Sequence, residues 1–283
     1  MPQGKGKGGG PIVSPYQKDT SGGSGPYKAH YTTDPGLPDH TIYAPKEAPK
    51  DVSMPLIVWG EGACAAQGTA FVNLLTELAS HGYVVLANGA PGTPGSAFPS
   101  DRSKTTSPEQ LTQSMDWVTS GKDAGKYGTI DKTKVAAAGQ SCGGAQAMRV
   151  SGDPRIKLTA MFNSGGMGKL GGGKGPAFAA KDLKHPIIYL LGGTGDLAYA
   201  GGSAEYKSLP ATVPSILFSM DGAGHGGTYG EIHAGKFGKA AVAAFDYILK
   251  GDAKAKSSLF PGEGFKADGW DYEFKNWDNF KPS

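Results

Sequence analysis

The chain has 283 residues, long enough to bury a full core and, for an α/β architecture, to form one large domain rather than two small ones. Hydrophobic residues at 38% and charged residues at 19% describe a globular chain, and a net charge of +3 is too small for a surface that tracks nucleic-acid phosphates. No apolar run has the length of a membrane span, and two cysteines exclude both a disulfide-dense scaffold and a four-cysteine zinc site.

Residues 1 to about 26 are rich in Gly, Lys, Ser and Pro and read as a flexible arm. The opening MPQGKGKGGG lacks the apolar segment of a signal peptide, which implies a cytoplasmic chain or one whose signal has been removed. From residue 27 onward short apolar runs alternate with amphipathic ones. Residues 41–44 and 56–59 read as strands, and residues 68–80 as a helix with Phe71, Val72, Leu75 and Leu78 on one face. A strand over 83–87 follows. Ser107-Pro108-Glu109-Gln110 is a helix start with a serine N-cap, proline in the first turn and glutamine at the capping-box position. Leu111, Met115 and Val118 continue that helix to a stop at Gly121. Strands are expected over 135–138, 158–162, 186–191 and 215–220, and helices over 143–150 and through Phe237, Val242, Phe245 and Leu249. Alternation of this kind predicts an α/β domain over 27–283, with a mostly parallel central sheet, helices on both faces and an aromatic C-terminal tail.

Gly139-Gln140-Ser141-Cys142-Gly143 fits G-x-S-x-G. With 46 glycines in the chain the motif alone says little, but its setting is specific: a strand runs into it and a helix leaves it. Glycines allow the sharp turn, and the helix N-terminus supplies N–H groups to a developing oxyanion. Cys142 as nucleophile would put Gln140 where the first glycine belongs, so Ser141 is favoured. A serine needs a base and an orienting acid. Asp196 in Gly192-Gly193-Thr194-Gly195-Asp196 and His225 in Gly224-His225-Gly226 each follow a later strand, at the edge where open α/β sheets gather their chemistry. His233 is the rival base and Asp221 the rival acid.

These residues, with Ala79-Ser80-His81-Gly82-Tyr83, Gly224-His225-Gly226-Gly227-Thr228-Tyr229 and Leu249-Lys250-Gly251-Asp252, make the chain resemble the α/β-hydrolase superfamily over about residues 27–280. The similarity is to the branch of dienelactone-hydrolase-like enzymes and cutinase-like polyester hydrolases, and within it to fungal secreted proteins of undefined substrate. It implies an α/β-hydrolase fold without a large cap domain, Ser141 as nucleophile, Asp196 as acid and His225 as base. It also implies oxyanion donors at Cys142 and, by counting back from residues 79–82, at Cys64, with Ala63 as the neighbouring alternative. Dienelactone hydrolases proper use a cysteine nucleophile, so their substrate does not transfer. Secretion follows from the resemblance and a cytoplasmic location from the visible N-terminus.

If both cysteines border the oxyanion hole, a Cys64–Cys142 disulfide would tie the two donor loops together; two buried free thiols are the alternative. Gly168 to Lys174 spaces like a P-loop, but Gly175 stands where Ser or Thr belongs, so this stretch reads as a mobile loop over the site. Trp59, Glu61, Met167, Tyr199 and Tyr229 are expected near the mouth as substrate contacts. Trp270, Tyr272, Phe274, Trp277 and Phe280 are expected to pack down on the domain. No cluster has metal-ligand spacing and no strand-linked dinucleotide fingerprint is present, so no cofactor is expected. The composite expectation is a serine hydrolase acting on a small-molecule or polymeric carboxylic ester. An acyltransferase or lactone-forming enzyme with the same triad, and a noncatalytic binding protein on a hydrolase fold, are the alternatives.

Overall fold

Runs such as Ile187-Ile188-Tyr189-Leu190-Leu191 are apolar at every position, so both faces of the strand must be covered, and all five residues are buried. The computed structural model describes residues 18–92, 103–121, 124–166, 171–173 and 178–282. In chain order they form β1 (Ala29–Thr32), β2 (His40–Pro45), β3 (Met54–Gly60), α1 (Val72–Ser80), β4 (Val84–Asn88), α2 (Pro108–Ser120), β5 (Ile130–Gln140) and α3 (Cys142–Val150). There follow β6 (Ile156–Phe162), β7 (Ile187–Leu191), α4 (Tyr199–Ser208), β8 (Ser215–Ser219), α5 (Gly235–Lys250), α6 (Ala253–Leu259), α7 (Glu263–Ala267) and β9 (Asp271–Lys275).

The described strands form one nine-stranded sheet of order β1-β2-β4-β3-β5-β6-β7-β8-β9. From β4 to β8 neighbours are parallel, whereas β1, β2 and β9 join antiparallel at the edges. Side chains alternate between the faces as the pleat requires. Val85 and Ala87 of β4 meet α1 and α5, while Val84 and Leu86 meet α2. Met148 of α3 and Tyr206 of α4 pack with Ile187 and Tyr189 on that second face. The fold is therefore α/β with a mostly parallel mixed sheet and helices on both faces.

Local signals explain the helix ends. Ser107 and Gln110 form the capping box of α2, with the Ser107 N–H donating to Gln110 Oε1 at 2.9 Å, and Gly121 closes the helix in the left-handed region at φ 71°. The tail packs as expected except at Phe274, which is 41% exposed. Trp270, Tyr272 and Trp277 are buried, and the Phe218 ring of β8 sits 4.9 Å from Tyr272 and 5.4 Å from Trp270. It also closes the sheet as β9, which the alternation of Trp270, Tyr272 and Phe274 foreshadows.

Residues 19–25, read from the sequence as part of a flexible arm, make polar contacts with α1. Asp19 N–H donates to Asn73 Oδ1, and Ser24 N–H donates to Glu77 Oε2 at 2.8 Å, so this stretch is fixed to α1 by polar contacts rather than apolar ones. Residues 1–17 lie outside the described residues.

After β3 the chain crosses by α1 to β4 on one side, and β5 then takes up the other side of β3, with α3 on the opposite face. The loops leaving β3 and β5 therefore diverge, which opens a crevice at their carboxyl ends.

Candidate active site

β5 ends at Gln140 and α3 begins at Cys142, so one residue must make the whole reversal. Ser141 does so at φ 52° and ψ −117°, a backbone that costs a non-glycine residue about 1–3 kcal/mol. Its N–H still donates to Phe162 O at 2.9 Å, and Ser164 Oγ donates to Ser141 O at 2.7 Å. The turn also needs close backbone approach. A Cβ on Gly143 would lie 2.0 Å from Gly60 O, so only glycine lets α3 press against β3. Ser141 is left half-buried at the apex.

Asp196 and His225 come from the ends of β7 and β8. Asp196 follows β7, and its side chain is fully buried; Oδ1 meets His225 Nδ1 at 2.7 Å. Oδ2 accepts from Gly192 N–H at 3.0 Å and Asn163 Nδ2 at 2.8 Å, and Oδ1 also accepts from Ala198 N–H at 2.9 Å. Burial pushes the Asp196 carboxyl up, but the hydrogen bonds from His225, Gly192, Ala198 and Asn163 outweigh it and hold the carboxyl below its ordinary value. His225 sits in the loop after β8. Gln140 Nε2 donates to His225 O at 3.0 Å, which ties the histidine loop to the residue preceding Ser141. The rivals lie elsewhere. His233 Nε2 meets Ser21 Oγ at 2.9 Å, and Asp221 Oδ1 accepts from Thr194 N–H at 3.1 Å.

Cys64 and Cys142 are joined in a disulfide with Cα atoms 5.2 Å apart, so the loop after β3 is bonded to the first residue of α3. Gln146 braces the bond from beneath: its Nε2 lies 3.0 Å from Cys64 Sγ and donates to Thr106 O at 2.9 Å. The donor expected at Cys64 needs correction. Residues Gly62–Cys64 form a 3₁₀ turn in which the Cys64 N–H donates to Glu61 O at 3.1 Å, so that proton is already engaged. Ala63, the neighbouring alternative, sits in the same turn at φ 54°.

The expected mouth residues separate. Glu61 is fully buried rather than facing a substrate, and burial pushes its carboxyl well above the ordinary range. The Trp59 indole N–H faces it outside hydrogen-bonding geometry, and both groups are unpaired among the described residues. Trp59 itself is wholly buried, 5.1 Å from Phe162 and 5.4 Å from Phe71, because β3 needs an apolar filler on that face. Tyr229 is buried too, its hydroxyl donating to Asn163 Oδ1. Tyr199 opens α4 and is half-buried against the core of that face. Met167, and most of the loop expected over the site, lie outside the described residues.

Sequence reasoning missed Gln140, Gln146 and Asn163. Gln140 falls on a variable position of the motif, and Gln146 lies inside the helix expected over 143–150 with nothing in the pattern to single it out. Asn163 carried a usable signal, a polar residue directly ending the apolar run of β6 at the chemical edge of the sheet. No protein-family model and no curated protein matches the chain.

Proposed function

We propose that this chain is a serine hydrolase of the α/β-hydrolase fold that cleaves a carboxylic ester through an acyl-enzyme. The observation that carries the reading is the strained Ser141 at the β5–α3 apex, with the Asp196–His225 pair held against the same turn by Gln140. Ser141 Oγ attacks the ester carbonyl while its proton passes to His225, and Asp196 stabilises the resulting imidazolium. Backbone N–H groups at Cys142 and Ala63 face the oxyanion, and the disulfide keeps their separation fixed so that no reorganisation is needed as charge develops. The leaving alcohol takes the proton from His225. Water then attacks the acyl-enzyme with His225 as base and releases the acid.

No helix among the described residues is long and apolar enough to cross a membrane. The disulfide fits a chain that matures in an oxidising compartment, in keeping with secretion. Labelling with a fluorophosphonate, mapped by mass spectrometry, tests the reading. It requires an adduct on Ser141 that disappears in Ser141→Ala, and folded protein that takes no label overturns it.

A further inference from the structure

Asn163 is fully buried and follows β6 on a backbone that few side chains adopt, at φ 44°. Its N–H donates to Leu190 O at 2.7 Å, so the backbone stays pinned to β7 while the side chain reaches across the end of that strand. There Nδ2 donates twice, to Asp196 Oδ2 at 2.8 Å and to Gly224 O at 3.0 Å. Two acceptors on one side settle the orientation of the amide, because its carbonyl end would meet oxygen at both. Oδ1 therefore turns the other way, where the Tyr229 hydroxyl donates to it. The Tyr229 ring has little freedom. Phe71 at 5.0 Å, Phe237 at 5.2 Å and Phe162 at 6.3 Å surround it edge-on. Burial, then the charge of Asp196, push its phenol well above the ordinary value, so it remains a donor.

We propose that Asn163, locked by Tyr229, is a positioning residue that sets both the rotation of the Asp196 carboxylate and its distance from the histidine loop. The proposal rests on reading Ser141, His225 and Asp196 as a triad. One side chain bonds the acid and the residue before the base, so the phenol, amide, carboxylate and imidazole form one chain from the aromatic core to His225. Without the Asn163 donor, Oδ2 keeps only the Gly192 N–H. The carboxylate then turns more freely and binds protons more tightly, which strengthens its pull on His225.

The test is the rate of fluorophosphonate labelling at Ser141 from about pH 5 to pH 9, with thermal unfolding as the control for folding. Asn163→Ala is expected to slow labelling about ten- to a hundredfold and to move the acid limb of the profile to higher pH. Asn163→Asp, which sets a second carboxylate against Asp196, should slow it further and move the limb further in the same direction. Tyr229→Phe keeps the ring and removes only the hydroxyl, so a smaller shift of the same sign is expected. A folded Asn163→Ala protein that labels Ser141 at the wild-type rate with an unmoved limb overturns the proposal. If Asn163→Ala does not fold, a folded Tyr229→Phe protein with a wild-type profile overturns it equally. Wild-type protein that takes no label refutes the triad reading instead, so the two failures are distinct.

Discussion

The loops leaving β7 and β3 each bury a carboxyl side chain, Asp196 at 4% exposure and Glu61 at 0%, and they treat it in opposite ways. Around Asp196 the chain assembles two backbone N–H groups, the Asn163 amide and the His225 imidazole, and the carboxyl stays charged. Around Glu61 it provides no partner among the described residues, and the carboxyl keeps its proton. Depth is nearly the same, so donors decide the charge.

The contrast breaks most sharply at Asp196. Asp196→Asn should slow labelling of Ser141 by about 10 000-fold, since the amide no longer orients and stabilises the protonated histidine. Replacing both Cys64 and Cys142 by serine should cost roughly 4.5 kcal/mol in urea unfolding, from the entropy of a chain loop spanning 78 residues, and should also slow labelling.

Glu61→Gln sharpens the comparison from the other side. Folded wild type holds a proton that the unfolded chain releases above the ordinary glutamate range, so its stability falls as pH rises from there toward the raised folded value, by about 1.4 kcal/mol per pH unit. The variant lacks that slope. The two proteins should unfold alike near pH 4, and the variant should become the more stable of the two as pH rises from there. Asp196 has the opposite sign: its depressed value gives stability that is present above the ordinary aspartate range and lost as pH falls through the folded value. Asp196→Asn should accordingly flatten the acid side of the stability profile, where Glu61→Gln flattens the alkaline side. The smallest effect belongs to His233→Ala, which removes a partly exposed contact with Ser21 and Asp19. Labelling should stay within about twofold and stability within about 1 kcal/mol.

The parallel strands and the helices α1, α2, α3 and α5 were legible because each is a periodic apolar run with a capping or glycine signal at an end. β1 and α4 were not. Ala29–Thr32 is short and mixed in polarity, and Tyr199–Ser208 buries little beyond Gly202 and Tyr206, so neither shows a period. At the site, the motif and strand order single out Ser141, Asp196 and His225 as residues at the carboxyl ends of β5, β7 and β8. What they cannot give is side-chain direction: Glu61 and Tyr229 turn inward, and a 3₁₀ turn engages the Cys64 N–H. These outcomes depend on packing across elements distant in sequence, which no local pattern encodes.

The contact between Gly60 and Gly143 has a consequence for how this protein would look in a mutational survey. Neither residue has a side chain to do chemistry, yet any larger residue at Gly143 drives a carbon into the Gly60 carbonyl and moves Ser141 with it. Scored by activity alone, both positions would rank with the nucleophile and be mistaken for members of the catalytic apparatus. Scored by abundance as well, they would separate from it: on the proposed reading Ser141→Ala protein should accumulate without activity, whereas Gly143→Ala protein should be lost along with its activity. For this fold, a map of sensitive positions becomes a map of function only after that subtraction.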